Sequence, residues 1–198
     1  MDKLINEKSV TKIENLENEI AELKKRYADD DQKQMNNIKE REKMSNDEWI
    51  TPKWIIDKLG PFDLDPCAHS QQPWPTATRM ISLPQDGLTV PWEGRVWLNP
   101  PYSRGSPPVW LRLMVEHNHG TALINASINS HWFHDLVFNC ASALLFQYGR
   151  ISFCAPAGTA AGSPRYDTVI AAYGMQDAAR LMIYSNDTKG RLIMLDIN

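Results

Sequence analysis

Every proline, glycine and tryptophan of this 198-residue chain lies beyond residue 48. That partition constrains the fold more than any single motif does. Residues 1–48 contain none of the residues that break a helix or supply a tight turn, and they hold 10 of the 21 basic and 13 of the 24 acidic side chains. The rest carries all 13 prolines, 10 glycines and seven tryptophans, so it must turn often and bury large rings. Two domains follow: a helical segment at 1–47 and a turn-rich globular domain at 48–198.

In the first segment Ile13, Leu16, Ile20, Leu23 and Tyr27 are spaced 3, 4, 3 and 4, the seam of a coiled coil. After Tyr27 the register would place Asp30, Gln34 and Asn37 on the seam, and a one-residue shift gives Asp31, Met35 and Ile38 instead. So short a seam makes a marginal coiled coil, and a solvated helix is the alternative. Homodimerisation, DNA contact or docking of a partner are the roles open to it. The chain as a whole is 42% hydrophobic with a formal charge of -3, values that suit a soluble globular protein. It has neither an apolar run long enough to span a bilayer nor the apolar core of a signal peptide. Cys67, Cys140 and Cys154 form no Cys-x-x-Cys pair, so a reduced, cytoplasmic protein is expected.

From residue 49 strands and helices alternate. Thr51-Pro52 offers a helix N-cap followed by proline, and the helix closes on Gly60. Strands are predicted at 62–65, 95–98, 121–126, 143–146, 150–153, 167–173 and 191–197, with helices near 106–118, 130–139 and 176–184. That alternation predicts an α/β fold with a mainly parallel sheet covered on both faces. Ligands of such sheets bind beyond the carboxyl ends of the strands. Asp65 and Asn99 both end predicted strands, so they share one edge.

The loop after the 95–98 strand reads Asn99-Pro100-Pro101-Tyr102. Pro100 and Pro101 fix φ and lack an N–H, so this loop presents carbonyls in a rigid frame. A planar exocyclic amine such as adenine N6 is a poor nucleophile, because its lone pair is delocalised into the ring. The Asn99 side-chain carbonyl and the Pro100 backbone carbonyl, placed on its two N–H bonds, would pull the nitrogen towards tetrahedral geometry. Tyr102 offers the ring a flat face, and such stacking is worth ~1–3 kcal/mol per base. The plain alternative is a strand ending in a Pro-Pro turn.

Four stretches together resemble the small phage-type DNA N6-adenine methyltransferases, a Dam-like family: WITPKWIIDKL (49–59), LDPCAHS (64–70), QDGL (85–88) and VWLNPPYS (96–103). The resemblance covers roughly 48 to 175. It implies an abbreviated Rossmann-like sheet binding S-adenosylmethionine, without a metal, and DNA as partner. Asn99, Pro100, Pro101 and Tyr102 would then be catalytic. Thr51 and Pro52 would close over the methionine end of the cofactor. Asp65 would meet its amino group or ribose, with Pro66, Cys67 and Ala68 small enough for close approach, and Asp86 would accept from its adenine amine. Where the wider class carries glycine after the small residues, this chain has Ser70 and Gln71. The acid that grips the ribose is also missing between Asp65 and Asn99, which leaves the ribose ligand unassigned.

The target amine is buried in a duplex, so a flipped base or a single strand is required. Phe153 is the first candidate for a second aromatic wall opposite Tyr102, with Trp132 next. Ser103, Arg104, Arg150 and Arg165 are candidates for contacts to DNA. The domain has no room for a separate recognition module, which predicts a short or relaxed target. Two alternatives remain: a methyltransferase of another planar amine, in RNA or protein glutamine, and a degenerate fold serving as a DNA-binding or interaction module. A role in protecting phage DNA from restriction is implied by the resemblance alone. His117-Asn118-His119 spells HNH without the dispersed fold of such nucleases. His131 and His134 lack further metal ligands, and GTAAGS (158–163) lacks the lysine of a P-loop and reads as a flexible loop.

Overall fold

The computed structural model describes residues 49–102, 107–154, 158, 160–162 and 166–196. The helix and seam expected at 1–47, and Ser103, Arg104 and Arg165, lie outside the described residues.

Nine strands, four α-helices and one π-helical turn are seen among them. The first helix, α1 (Lys53–Leu59), starts where Thr51-Pro52 predicts, but Pro52 is the cap and no side chain caps it. The Thr51 hydroxyl is engaged elsewhere, in a contact described below. Strand β1 (Leu64–Asp65) is followed by β2 (Arg79–Met80), a strand absent from the sequence-based expectation. Next come β3 (Val96–Leu98), α2 (Pro107–His117) and β4 (Gly120–Asn125). The helix expected at 130–139 is split: one turn, α3 (His131–Phe133), runs into a π-helical turn at His134–Phe138. Strand β5 (Ala143–Phe146) leads to a hairpin of β6 (Phe153–Cys154) and β7 (Ala160–Gly162), which takes up part of the segment read as a flexible loop. Strand β8 (Thr168–Tyr173), helix α4 (Met175–Asn186) and β9 (Arg191–Met194) follow.

The sheet runs β2-β1-β3-β4-β8-β5-β9. Its first half is parallel, as expected, with Leu64 opposite both Arg79 and Val96, and Val96 opposite Gly120. Its second half is not. Strand β8 pairs antiparallel with both β4 and β5, and β9 pairs antiparallel with β5. Connections explain the difference. Strands β4 and β5 point the same way and are joined through helical segments, as are β8 and β9. Between β5 and β8 the described chain holds only the β6–β7 hairpin, and without a crossover helix the chain returns antiparallel.

Both faces are covered, which is why Val96, Trp97 and Leu98 are all buried. Trp97 packs with Ile55, Leu59, Leu181 and Tyr184 from α1 and α4, whereas Val96 and Leu98 pack with Leu111, Met114 and Phe133 from α2 and α3. From β1 the chain moves outward to β2, then returns to place β3 on the other side of β1. That reversal puts the carboxyl ends of β1 and β3 at a topological switch point, the place where open α/β sheets bind ligands.

Candidate active site

Asp65 ends β1 and Asn99 follows β3, so the sheet brings them to one edge as the sequence predicts. Asp65 is 3% exposed, and both its oxygens are engaged. Oδ2 accepts from the Thr76 hydroxyl at 2.5 Å and Oδ1 from the Cys67 amide at 3.1 Å. Burial pushes its carboxyl up to about 6, while those two bonds pull the other way. Pro66 and Ala68 are buried beside it. The Cys67 thiol donates to the Asn99 backbone carbonyl at 3.3 Å, and burial holds it well above the usual thiol range. This cysteine is a neutral packing group that ties the β1 loop to the β3 loop.

Asn99 is held from a third direction. Its amide Nδ2 donates to the Trp49 carbonyl at 2.9 Å and to the Thr51 hydroxyl at 3.3 Å. Both donor hydrogens are therefore committed, and Oδ1 keeps its acceptor capacity among the described residues. The segment that supplies those acceptors is itself pinned. Ile50 exchanges backbone bonds with Cys154 at 3.1 and 2.9 Å, and Trp74 Nε1 donates to the Thr51 carbonyl at 3.1 Å. Thr51 thus orients the asparagine of the loop after β3.

Pro100 is buried and Pro101 half-buried, so the turn after Asn99 is fixed by packing as well as by its rings. The Tyr102 hydroxyl accepts from the Asn125 backbone amide, at the end of β4, at 2.6 Å. Burial drives the phenol far above its ordinary value, so it stays neutral. Asp86 is exposed, and one of its oxygens accepts from the Leu88 amide at 2.9 Å. A Cβ on Gly87 would fall 1.8 Å from the Pro66 carbonyl oxygen, so only glycine lets the QDGL turn lie against the Asp65 loop. That contact brings the turn carrying Asp86 beside the Asp65 loop.

Phe153 is 3% exposed and packs edge-on against Trp49, their centroids 5.8 Å apart. It offers no open face to a second ring, and Trp132 is half-buried against the core. Arg150 is exposed and reaches Asp167 at 3.4 Å. His134 Nε2 bonds the Ile128 carbonyl at 2.9 Å, which gives this histidine a bracing role. Among the described residues no group of three His, Cys, Asp or Glu side chains is arranged to hold a metal, and no helix is long and apolar enough to cross a membrane.

Sequence reasoning missed four participants. Thr76 binds Asp65, the Trp49 carbonyl binds Asn99, the Asn125 amide binds Tyr102, and Gly87 seats the Asp86 turn. Only Gly87 left a signal, as the glycine within QDGL. The others act through contacts between loops, two of them through main-chain groups that every residue carries.

A reversal of strand order in the parallel half of the sheet, with an acid on one strand end and a rigid Asn-Pro-Pro-Tyr loop on the next, is the arrangement of α/β proteins that bind ligands at strand carboxyl ends. Comparison with protein families narrows this class. The model of the DNA N-6-adenine-methyltransferase (Dam) family matches residues 38–172, more than half of the chain, and the chain belongs to that family. The match begins ten residues before the boundary expected at 48. Comparisons with curated proteins and with solved structures return no match.

Proposed function

We propose that this chain transfers a methyl group from S-adenosylmethionine to N6 of adenine in DNA. One observation carries the reading beyond the family match. Asn99 has both amide hydrogens tied to the Trp49 carbonyl and the Thr51 hydroxyl, which leaves its oxygen as the acceptor for an incoming N–H.

The residues at the carboxyl ends of β1 and β3 suit the cofactor. Asp65 supplies a buried carboxyl that an ammonium or hydroxyl group would favour in its ionised form. In the same loop the Gln72 amide nitrogen is buried without a partner among the described residues, a spare donor for a carboxylate or a hydroxyl. Asp86, seated by Gly87, keeps one oxygen for an exocyclic amine. Bound there, S-adenosylmethionine would supply an electrophilic methyl, its S–CH3 bond breaking to leave the neutral thioether S-adenosylhomocysteine. The chain's own part is positional: Asn99 Oδ1 and the Pro100 carbonyl hold the two N6 hydrogens, and Tyr102 supports the ring. The amine lone pair is thereby freed towards the methyl, and the N6 proton leaves to water afterwards. Proximity and orientation carry most of such a reaction.

The test is tritium transfer from labelled S-adenosylmethionine into unmethylated plasmid DNA, digested afterwards to nucleosides. Label in N6-methyldeoxyadenosine is the expected outcome. Label confined to RNA or protein in parallel reactions would overturn the substrate and keep the chemistry. No transfer and no calorimetric binding of the cofactor would overturn the enzyme reading altogether.

A further inference from the structure

The seven-stranded sheet ends on two unlike strands. At one side β2 is two residues long and carries Arg79. A short, charged outer strand is how sheets ordinarily keep other chains from adding to them. At the other side β9 (Arg191–Met194) is longer and apolar after its first residue. It runs in unbroken register with β5, its one partner strand among the described residues. Ile193 is 42% and Met194 43% exposed, and half-buried Leu195 extends the apolar run.

The backbone fixes what this strand offers. Leu195 N donates to the Ser142 carbonyl at 3.0 Å, one step beyond the pair Ala143–Met194. Bonded and non-bonded pairs alternate along an antiparallel ladder. Arg191, Ile193 and Leu195 therefore spend their N–H and C=O groups on β5, and Leu192 and Met194 point theirs away from the sheet. The bond from Ala126 N to the Asp167 carbonyl, carried across β8 and β5 by the same alternation, gives the same parity. Side chains alternate as well: Leu192 and Met194 lie on the α4 face with Leu145 and Ala143, and Ile193 lies on the α2 face with Leu144. On α4, Arg180 and Met182 occupy opposite flanks. Arg180 reaches the Gly60 carbonyl at the end of α1 at 3.4 Å, which leaves the exposed Met182 on the flank towards β9.

We propose that β9 pairs with β9 of a second copy of this chain, antiparallel about a two-fold axis normal to the sheet, with Ile193 opposite its symmetry mate. This contact stands apart from the chemistry proposed above. Such an axis keeps each face on its own side, so only residues of like parity can oppose. Centred on Ile193, the ladder sets Leu192 against Met194 of the partner subunit, and Met194 against Leu192 of the partner subunit. Those are the residues whose backbone groups point outward, so both pairs close with hydrogen bonds. Arg191 lays its aliphatic stem over Leu195 of the partner subunit. The charges agree too. Lys189 and Arg191, both exposed, stand at the start of the strand and the exposed Asp196 at its end. Antiparallel pairing seats the acid of each copy between the two bases of the other. Re-centring the pair by one residue loses this match: on Met194 it sets Asp196 against Leu192, and on Leu192 it leaves Met194 against Gly190.

The experiment follows association of the full chain by sedimentation velocity over a wide range of concentration. The wild type is expected to pass from monomer to dimer. Ile193→Lys places like charges across the axis, and Met194→Pro removes one outward donor from each copy while sparing every bond to β5. Each is expected to weaken the dimer at least about tenfold, while circular dichroism shows the wild-type fold. Leu16→Asp, in the seam expected at residues 13–27, separates β9 from the helical segment and should leave this association in place. Ile193→Cys reads the register. Residues opposed at a non-hydrogen-bonded pair lie about 4.5 Å apart at Cα, within reach of a disulfide. Mild oxidation should therefore link Ile193→Cys into a covalent dimer. Arg191→Cys, opposite Leu195 of the partner subunit, should link no more than the wild type does. Three results would each overturn the proposal: a wild type that stays monomeric, an association abolished by Leu16→Asp but untouched by both β9 substitutions, or equal linking of the two cysteine variants.

Discussion

The two edges of the sheet treat their polar groups in opposite ways. At the carboxyl edge Asp65, Asn99 and Tyr102 are fixed by neutral hydrogen-bond partners, and Asn99 retains an unspent acceptor. At the amino edge Arg95, just before β3, meets Asp177 in the first turn of α4, with Nε to Oδ1 at 2.6 Å. Arg95 Nη1 also donates to the carbonyls of Leu59 at 2.6 Å and Pro61 at 3.0 Å, and its guanidinium lies 4.2 Å over the Phe62 ring. Thr121, near the start of β4, donates to the same Asp177 oxygen at 3.2 Å. Asp177 is fully buried and Arg95 nearly so. Burial pulls the Arg95 guanidinium below its ordinary value while Asp177 holds it up. This edge joins α1, β3, β4 and α4 and holds no residue of the candidate site. A buried ion pair serves structure at one edge, and groups held by hydrogen bonds without a countercharge are kept for chemistry at the other.

The sharpest way to break this contrast is Arg95→Ala. It strands Asp177 without its countercharge, and breaking a buried pair in this way costs about 3–5 kcal/mol. Urea unfolding should show that loss in the midpoint. The fraction still folded should bind the cofactor with wild-type affinity in calorimetry, because nothing at the carboxyl edge has changed. A large loss of cofactor affinity in the folded fraction would mean that the two edges are coupled.

Asn99→Ala is the converse. Removing an acceptor aimed at the reacting amine should cut turnover on the order of a hundred- to a thousandfold, the range seen when one preorganised polar contact to a transition state is deleted. Stability should change by about 1–3 kcal/mol, the worth of the two bonds to Trp49 and Thr51. Tritium transfer and thermal melting on the same preparation measure the two effects. Retained turnover would remove Asn99 from the mechanism.

The chemistry of the carboxyl edge was more legible in the sequence than its neighbourhood. Asp65 and Asn99 could be placed at strand ends because FDLD alternates apolar and acidic residues, the apolar run VWL closes on Asn99, and Pro-Pro stops it abruptly. Strand β2, two residues long and partly exposed, is shorter than any period that marks a strand. The antiparallel insertion of β8 was hidden because Thr168–Tyr173, buried along nearly its whole length, reads like a parallel strand. Local capping chemistry predicted Thr51 as an N-cap, and a tertiary partner 48 residues away took its hydroxyl instead. Phe153 carries the aromatic pattern of a base wall, but its exposure is decided by Trp49, far away in the chain.

Asp65→Asn tests the smallest difference between the edges, the charge state of a single carboxyl. Asp65 releases its proton at about 6 in the folded protein, against an ordinary value of 3.8. The folded chain therefore holds that proton more tightly than the unfolded chain does. Its contribution to stability is fully present below about pH 4, falls as pH rises, and is lost above about pH 6, where the ionised group costs about 3 kcal/mol. Asparagine fills the same volume, can accept from the Cys67 amide, and carries no charge. The variant should match wild type in thermal stability near pH 3.5 and exceed it near pH 7.5, by up to that amount. Arg95→Ala should be destabilised at both values, because Arg95 keeps its charge across the whole interval. Cofactor binding should move against stability: Asp65→Asn loses affinity at pH 7.5, and wild type loses it on acidification through pH 6, when Asp65 becomes the neutral acid. A wild-type affinity that is flat between pH 5 and 7.5 would show that the buried carboxyl does not meet the cofactor's charged amine, and would leave Asp65 as the organiser of its own loop through Thr76 and Cys67.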